Sequence, residues 1–274
     1  MSPRSTATTT TTTTATAIGQ DNVAAIDRII ELLSERYGPF PEEPRLDPAH
    51  EIVFTILSQH TSDTNSSRAY ARLMDRFSTL DAVAQADLAD IEEAIAPGGL
   101  AKIKAPRIKA VLNMMLDLNG SLDLSFLREM PLDEAKAWLR QLPGIGPKSA
   151  GIILSFALGM PAMAIDTHIY RVCKRLEIIG PKVTADKAHD ILEAAVEPDQ
   201  VFQFHLAFIT HGRQVCKAQR PLCAECVVAW TCPSRDQFIG PEDAPAAVAP
   251  VSGDGQRSGV TQLPHSVQPE KETP

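Results

Sequence analysis

The segment LPGIGPKSAGIILSFALGMPAMAIDTHIYRVCKR, residues 142–175, decides how this chain folds. Pro143 closes a helix, since a proline cannot continue the hydrogen-bond ladder. Gly144 and Gly146 permit torsions and close approaches that a side chain forbids. Pro147 suits the first turn of the next helix, where its missing N–H costs nothing. An apolar helix over 148–158 follows, then a linker over 159–164 and a further helix over 168–176. Working outward, apolar residues recur with the helical period nearly everywhere. Ile26, Ile29, Ile30, Leu33 and Tyr37 share one face, and Gly38-Pro39 is expected to stop that helix as a C-terminal glycine and following proline do. Helices are predicted over 50–59, 66–77, 87–96, 105–119, 132–141, 185–196 and 201–211. No stretch alternates with period two, so the fold class is all-α.

The glycine hairpin carries chemistry as well as a turn. It feeds a helix N-terminus, whose free N–H groups and dipole bind a phosphate without reading sequence. An ordinary turn between packed helices is the plain alternative. Lys148 stands at the start of the second helix, where the dipole disfavours a cation; the position is expected to lower its pKa and help it act as a nucleophile. Eighteen residues on, Asp166 places a carboxylate at the start of another helix. A lysine with a nearby carboxylate reads as an amine nucleophile with its electrostatic partner. A helix cap and a surface lysine compete with that reading.

A second motif is Cys216-x6-Cys223-x2-Cys226-x5-Cys232. Thiolate quartets hold zinc or iron–sulfur. Structural zinc takes two short Cys-x2–4-Cys knuckles, and only Cys223 and Cys226 form one. The wide outer spacings suit a [4Fe–4S] cubane, with zinc as the alternative. A disulfide pair is the third option, disfavoured because nothing suggests secretion. Cys173, in an apolar stretch, reads as a core residue.

A net charge of −8 over 274 residues argues on its face against a polyanionic partner. The total conceals a distribution. Residues 235–274 hold six acids and three bases, so −3 belongs to a Pro-, Gly- and Ser-rich tail expected to be disordered. Residues 1–21, with their threonine tract, are expected to be disordered too. Bases cluster at Lys102, Lys104, Arg107 and Lys109, at Arg171, Lys174 and Arg175, and at Arg213, Lys217 and Arg220. Local fields of this kind decide where a polyanion lands, although charge runs are often only solvated faces. No apolar run approaches the ~20 residues of a membrane helix, and a cytoplasmic, nucleoid-associated protein is the expectation.

Taken together, residues 142–175 and the cysteine spacing resemble the endonuclease III family of helix-hairpin-helix DNA glycosylases with a [4Fe–4S] cluster. The resemblance extends over about residues 22–234. It implies two helical domains flanking a DNA-binding groove: a six-helix barrel over 41–163 with the hairpin, and a cluster domain from 22–40 with 164–234. It further implies a monomer acting on duplex DNA that carries a damaged base or an abasic site. Lys148 matches the family's Schiff-base lysine and Asp166 its catalytic carboxylate. Cys216, Cys223, Cys226 and Cys232 match its cluster ligands. The implied activity is base excision with β-elimination on oxidised pyrimidines. Gly144 and Gly146 would meet phosphates, as would Lys217 and Arg220 on the cluster loop. Leu100 matches the family's wedge residue.

The chain also departs from the family's pattern. In residues 57–63 the gap-filling glutamine aligns with His60, while Gln59 comes one position earlier, and either could serve. Residues 124–130 look inserted, with no functional account. His168 is expected either to orient the site or to make a structural hydrogen bond. Two rival functions remain at this stage: a mismatch-directed adenine or thymine glycosylase, and a non-catalytic iron–sulfur DNA-binding module. Lys148 and the short polar tail argue against the first, and Lys148 with Asp166 against the second.

Overall fold

The structure, a computed structural model, describes residues 25–40 and 46–239. Every regular element among them is helical, as the apolar period predicts. The terminal tails expected over 1–21 and beyond 239 lie outside the described residues. No helix among those described is long and apolar enough to cross a membrane. Contacts divide the described chain into two compact units, residues 46–164 and residues 25–40 with 165–239.

The first unit contains α2 (Pro48–Ser58), α3 (Asp63–Phe77), α4 (Leu80–Gln85), α5 (Leu88–Ile95), α6 (Ala101–Asn119), α7 (Leu132–Leu139) and α8 (Pro147–Leu158). Helix α2 is central, with Ile52, Val53, Ile56 and Leu57 all fully buried. Around it pack Leu73, Ile91, Ile95, Ile108, Leu112, Leu139, Ile153 and Leu154. Helix starts follow local chemistry. The Asp47 carboxylate accepts from the N–H groups of Ala49 and His50 ahead of Pro48, and Ser62 and Thr79 cap α3 and α4 in the same manner. Helix α6 begins a turn earlier than the expected residue 105, with Pro106 inside it. Burial of Lys104 and Ala105 on its inner face extends the helix past the proline. Gly151 is a packing glycine: a Cβ there would stand 2.5 Å from the Met163 carbonyl oxygen.

Residues 124–130 have a structural role that the sequence did not disclose. Leu124 and Leu127 are fully buried in the core. Phe126 meets Trp138 edge-on, with centroids 5.4 Å apart. The Arg128 guanidinium donates to the carbonyls of Leu158 (3.2 Å) and Ala157 (3.3 Å). These are orphan acceptors at the C-terminus of α8, where a cation also complements the dipole.

The second unit contains α1 (Ile26–Tyr37), α9 (Thr167–Arg175), α10 (Ala185–Ala195) and α11 (Val201–Gln214). Ile26, Ile29, Ile30 and Leu33 bury one face of α1. Phe204 and Phe208 of α11 stack with centroids 4.0 Å apart. Gly38 ends α1, but not in the left-handed conformation expected of a C-terminal glycine. Its φ is −77°, and its N–H reaches the Ser34 carbonyl at 2.7 Å. Glycine is needed there for space, since a Cβ would lie 2.6 Å from that same oxygen. Residues 235–239, counted with the disordered tail by composition, instead belong to the fold. A 3-10 turn spans Arg235–Gln237, and the Phe238 ring lies 4.5 Å from the Arg175 guanidinium. A cation–π contact and an apolar niche anchor what composition alone assigns to the tail.

Candidate functional site

The hairpin between α7 and α8 is held by its own apolar residues. Leu142 and Ile145 are buried, and the Ile145 N–H bonds the Leu142 carbonyl at 3.1 Å. Gly144 has φ +84°, a conformation that favours glycine, and a Cβ there would also displace the Arg107 side chain, whose Cδ would stand 2.6 Å away. Gly146 differs. Its backbone is extended, and nothing lies within 4 Å of where a Cβ would stand. Neither torsion nor internal packing demands glycine at 146, which corrects the torsional reason given for it from sequence. Its open face suits the approach of an outside group.

Pro147 takes the first position of α8 and Lys148 the second. Ser149 and Ala150 turn inward and are buried, whereas Lys148 is exposed. Its amine has neither ion pair nor hydrogen bond among the described residues. Asp166, 9% exposed, caps α9: its Oδ1 accepts from the Ile169 N–H at 2.7 Å. The capping role weighed from sequence is therefore real. It occupies only Oδ1, and Oδ2 accepts no hydrogen bond among the described residues. His168 has a structural place, its Nδ1 lying 3.2 Å from Arg171 Nη2 and its Cβ filling the space that a Cβ on Gly212 would need.

The structure separates Gln59 from His60. Gln59 donates from Nε2 to the Gly144 carbonyl (3.1 Å) and accepts at Oε1 from Arg107 Nη1 (2.8 Å). Its amide is thus spent on the hairpin. His60 is exposed at φ 54°, free to reach outward. Leu100 is 48% exposed at φ 56°, and Ile103, one helical turn on, is 56% exposed.

Most of the basic runs read as surface charge have other employment. Lys104 is 2% exposed and donates to the Leu57 carbonyl (2.6 Å), to Thr61 Oγ1 and to the Gly98 carbonyl (3.5 Å). Burial holds its pKa below the ordinary lysine value. Lys109 bonds the Ala86 carbonyl. Arg171 ties the carbonyls of Gly212 and Cys216, and Lys174 those of Gly180 and Pro181. Arg175 binds the carbonyls of Lys217 and Ala218. The physical reason is common to all of them: helix ends and loops leave carbonyls unpaired, and long cationic side chains satisfy them. Lys102, Lys217 and Arg220 remain exposed.

Cys216, Cys223, Cys226 and Cys232 line one cavity of about 400 Å³, counted with its open mouth, together with Arg175, His211 and Phe238. Burial raises the Cys226 thiol to about 12, and burial together with neighbouring thiols raises Cys223 and Cys232. Polar side chains stand against two of the sulfurs. Arg175 Nη1 lies 3.3 Å from Cys216 Sγ, and His211 Nε2 lies 3.6 Å from Cys226 Sγ. Tyr37 Oη, 2.9 Å from His211 Nδ1, orients that ring. Among the described residues, no three His, Cys, Asp or Glu side chains converge as the ligands of one ion would. Cys173 is fully buried apart from the cavity lining.

Arg128 and His211 were not singled out from the sequence, and Lys104 and Arg107, which counted there as clustered bases, are engaged internally. Only Lys104 left a signal, because it falls on the same helical face as Ile108, Val111, Leu112 and Met115.

Comparison with known proteins agrees with this arrangement. Residues 53–198 match the model of the HhH-GPD superfamily base excision DNA repair proteins. Endonuclease III of Thermotoga maritima is 30% identical over 205 residues, covering 74% of this chain and 92% of the relative. Endonuclease III of Escherichia coli is 28% identical over 190 residues, covering 69% and 85%. A solved non-covalent endonuclease III–DNA complex superposes with a TM-score of 0.67 at 26% identity, over 78% of this chain and 97% of that one. With a family model spanning more than half its length and a relative matched almost end to end, this chain belongs to the HhH-GPD superfamily of base excision DNA repair proteins.

Proposed function

We propose that this protein is a base-excision-repair DNA glycosylase with AP-lyase activity on oxidised pyrimidines, working through a Schiff base on Lys148. The observation that carries it is Lys148 itself: an exposed, unpartnered amine at the second position of α8, next to a hairpin whose Gly146 face is open. The relatives named endonuclease III, and the DNA in the superposed complex, support DNA as the substrate. Gly144 and Gly146 with the first-turn N–H groups would take a phosphate. Lys217 and Arg220 would add phosphate contacts, and DNA of the nucleoid, in the cytoplasm, would be the target.

The damaged nucleotide leaves the stack, at an unstacking cost that is smallest for damaged bases. Leu100 wedges the opposite strand, and His60, rather than the anchored Gln59, fills the gap. Lys148 Nζ bonds to C1′ as the C1′–N bond breaks and the base departs with a proton. Asp166 stabilises the positive charge that develops on the sugar. The C1′–O4′ bond then opens, O4′ takes a proton, and the resulting C1′ imine acidifies C2′–H. Loss of that proton forms the C2′–C3′ double bond and expels the 3′ phosphate, which breaks the strand.

Cys216, Cys223, Cys226 and Cys232 would hold a [4Fe–4S] cluster. The fit rests on four thiols lining one cavity. Bound there, the cluster supplies a cross-link between loops and no step of the reaction. Residues 22–40 with 164–234 would form the cluster domain, and 41–163 the barrel that bears Lys148.

The test is a duplex with one oxidised pyrimidine. Expected are strand incision ending in a 3′ unsaturated aldehyde and, for Asp166→Asn, turnover slower by about a hundredfold or more with DNA affinity retained. Faster excision of adenine or thymine from mismatches than of the oxidised base would overturn the substrate class. Normal rates in Asp166→Asn would reduce Asp166 to its cap.

A further inference from the structure

Lys104 is expensive for the fold. It is 2% exposed on the inner face of α6, which otherwise buries Ala105, Ile108, Val111, Leu112 and Met115. No carboxylate among the described residues is bonded to its amine. Its partners are three oxygens: the Leu57 carbonyl, the Thr61 hydroxyl and the Gly98 carbonyl. Burying an ammonium without a counter-charge costs folding free energy, and an apolar residue of similar volume is often no less stable. Its presence therefore asks for a reason other than stability.

The identity of the oxygens supplies one. Leu57 and Thr61 bracket His60, and Gly98 precedes Gly99 and Leu100. Thr61 Oγ1 completes the link by bonding the Gly98 carbonyl at 2.9 Å and the Gln59 carbonyl at 3.3 Å. Gly98 is fixed in turn by close packing, since a Cβ there would lie 2.8 Å from the Ala69 Cβ. Both segments hold a non-glycine residue in the left-handed region, His60 at φ 54° and Leu100 at φ 56°. Such conformations persist only where the surroundings over-determine them.

We propose that Lys104 is a positioning residue that bolts the loop bearing His60 to the turn bearing Leu100, so that the two side chains entering the duplex move as one body. The proposal rests on the roles given to His60 and Leu100 in the proposed function. A rigid pair stores its geometry before DNA arrives, so binding energy goes into extruding the nucleotide instead of ordering two loops.

Single-turnover rates separate this role from general destabilisation. Wild type and Lys104→Met are compared on two duplexes, one with a paired oxidised pyrimidine and one with a preformed abasic site. Losing the bolt should slow the paired lesion by about tenfold or more and the abasic site by about threefold or less, because only the former must be unstacked. Thr61→Val, which removes only the bridging hydroxyl, should show the same selectivity at smaller size and serves if Lys104→Met fails to fold. Equal losses on both duplexes, or none on either, would overturn the proposal. Hydrogen exchange without DNA gives an independent readout: in Lys104→Met, residues 58–62 and 98–101 should lose protection together while α8 keeps its own. Loosening of one segment alone would contradict a shared bolt. If wild type processes neither duplex, the repair reading fails, and the exchange result still decides whether Lys104 joins the loops.

Discussion

Arg107 shows how much one side chain can carry without touching a reactant. Its guanidinium holds Gln59, its stem fills the space over Gly144, and Gln59 in turn holds the Gly144 carbonyl. Adding a methyl at residue 144 strains a φ of +84° and displaces Arg107, so Gly144→Ala should cost about 1–3 kcal/mol and be visible in denaturant unfolding. Gly146→Ala should leave stability within about 0.5 kcal/mol, as an unconstrained surface substitution does. If its open face meets phosphate, DNA affinity should fall in that variant all the same. Equal stability losses in the two variants would show that the glycines share one role. From sequence the pair looked alike, because φ and neighbours are tertiary facts. Lys148 and Asp166 stood out since their distinction is one of type and helix position, both local. Gln59 and His60 could not be told apart, because what anchors Gln59 lies 48 and 85 residues away.

At the scale of elements, the long helices were legible from their 3.6-residue period. Helix α4 was not, because six residues carry too little period to register. The segment around the 3-10 turn Ser125–Glu129 was legible only as an insertion. Its function is to close the C-terminus of the helix whose N-terminus bears Lys148. Removing the Arg128 guanidinium leaves two carbonyls unpaired. Arg128→Met should therefore cost about 1–3 kcal/mol, or a fall in Tm of about 2–4 °C for each kcal/mol. An unchanged Tm would mean that solvent satisfies those carbonyls equally well.

For the whole molecule, net charge proved the least informative quantity. The chain carries −8, yet of the basic clusters only Lys102, Lys217 and Arg220 combine exposure with no internal partner among the described residues. A handful of phosphate contacts is enough to make DNA affinity fall steeply with salt; a salt-independent Kd would contradict electrostatic docking. The cysteine spacing was informative because it counts candidate ligands directly, and the fold brings all four to one cavity. Purified protein should be brown and contain about four irons per chain. Colourless protein with one equivalent of zinc, prepared without oxygen, would contradict that assignment.

The proposed chemistry requires Lys148 to form a covalent imine with the sugar of the damaged nucleotide. Borohydride added during turnover reduces an imine to a stable amine, and peptide mass mapping then identifies the attached residue. One cross-linked peptide is expected, modified at Lys148, with no cross-link in Lys148→Ala. A cross-link that persists in Lys148→Ala, or that maps to another amine, would contradict it.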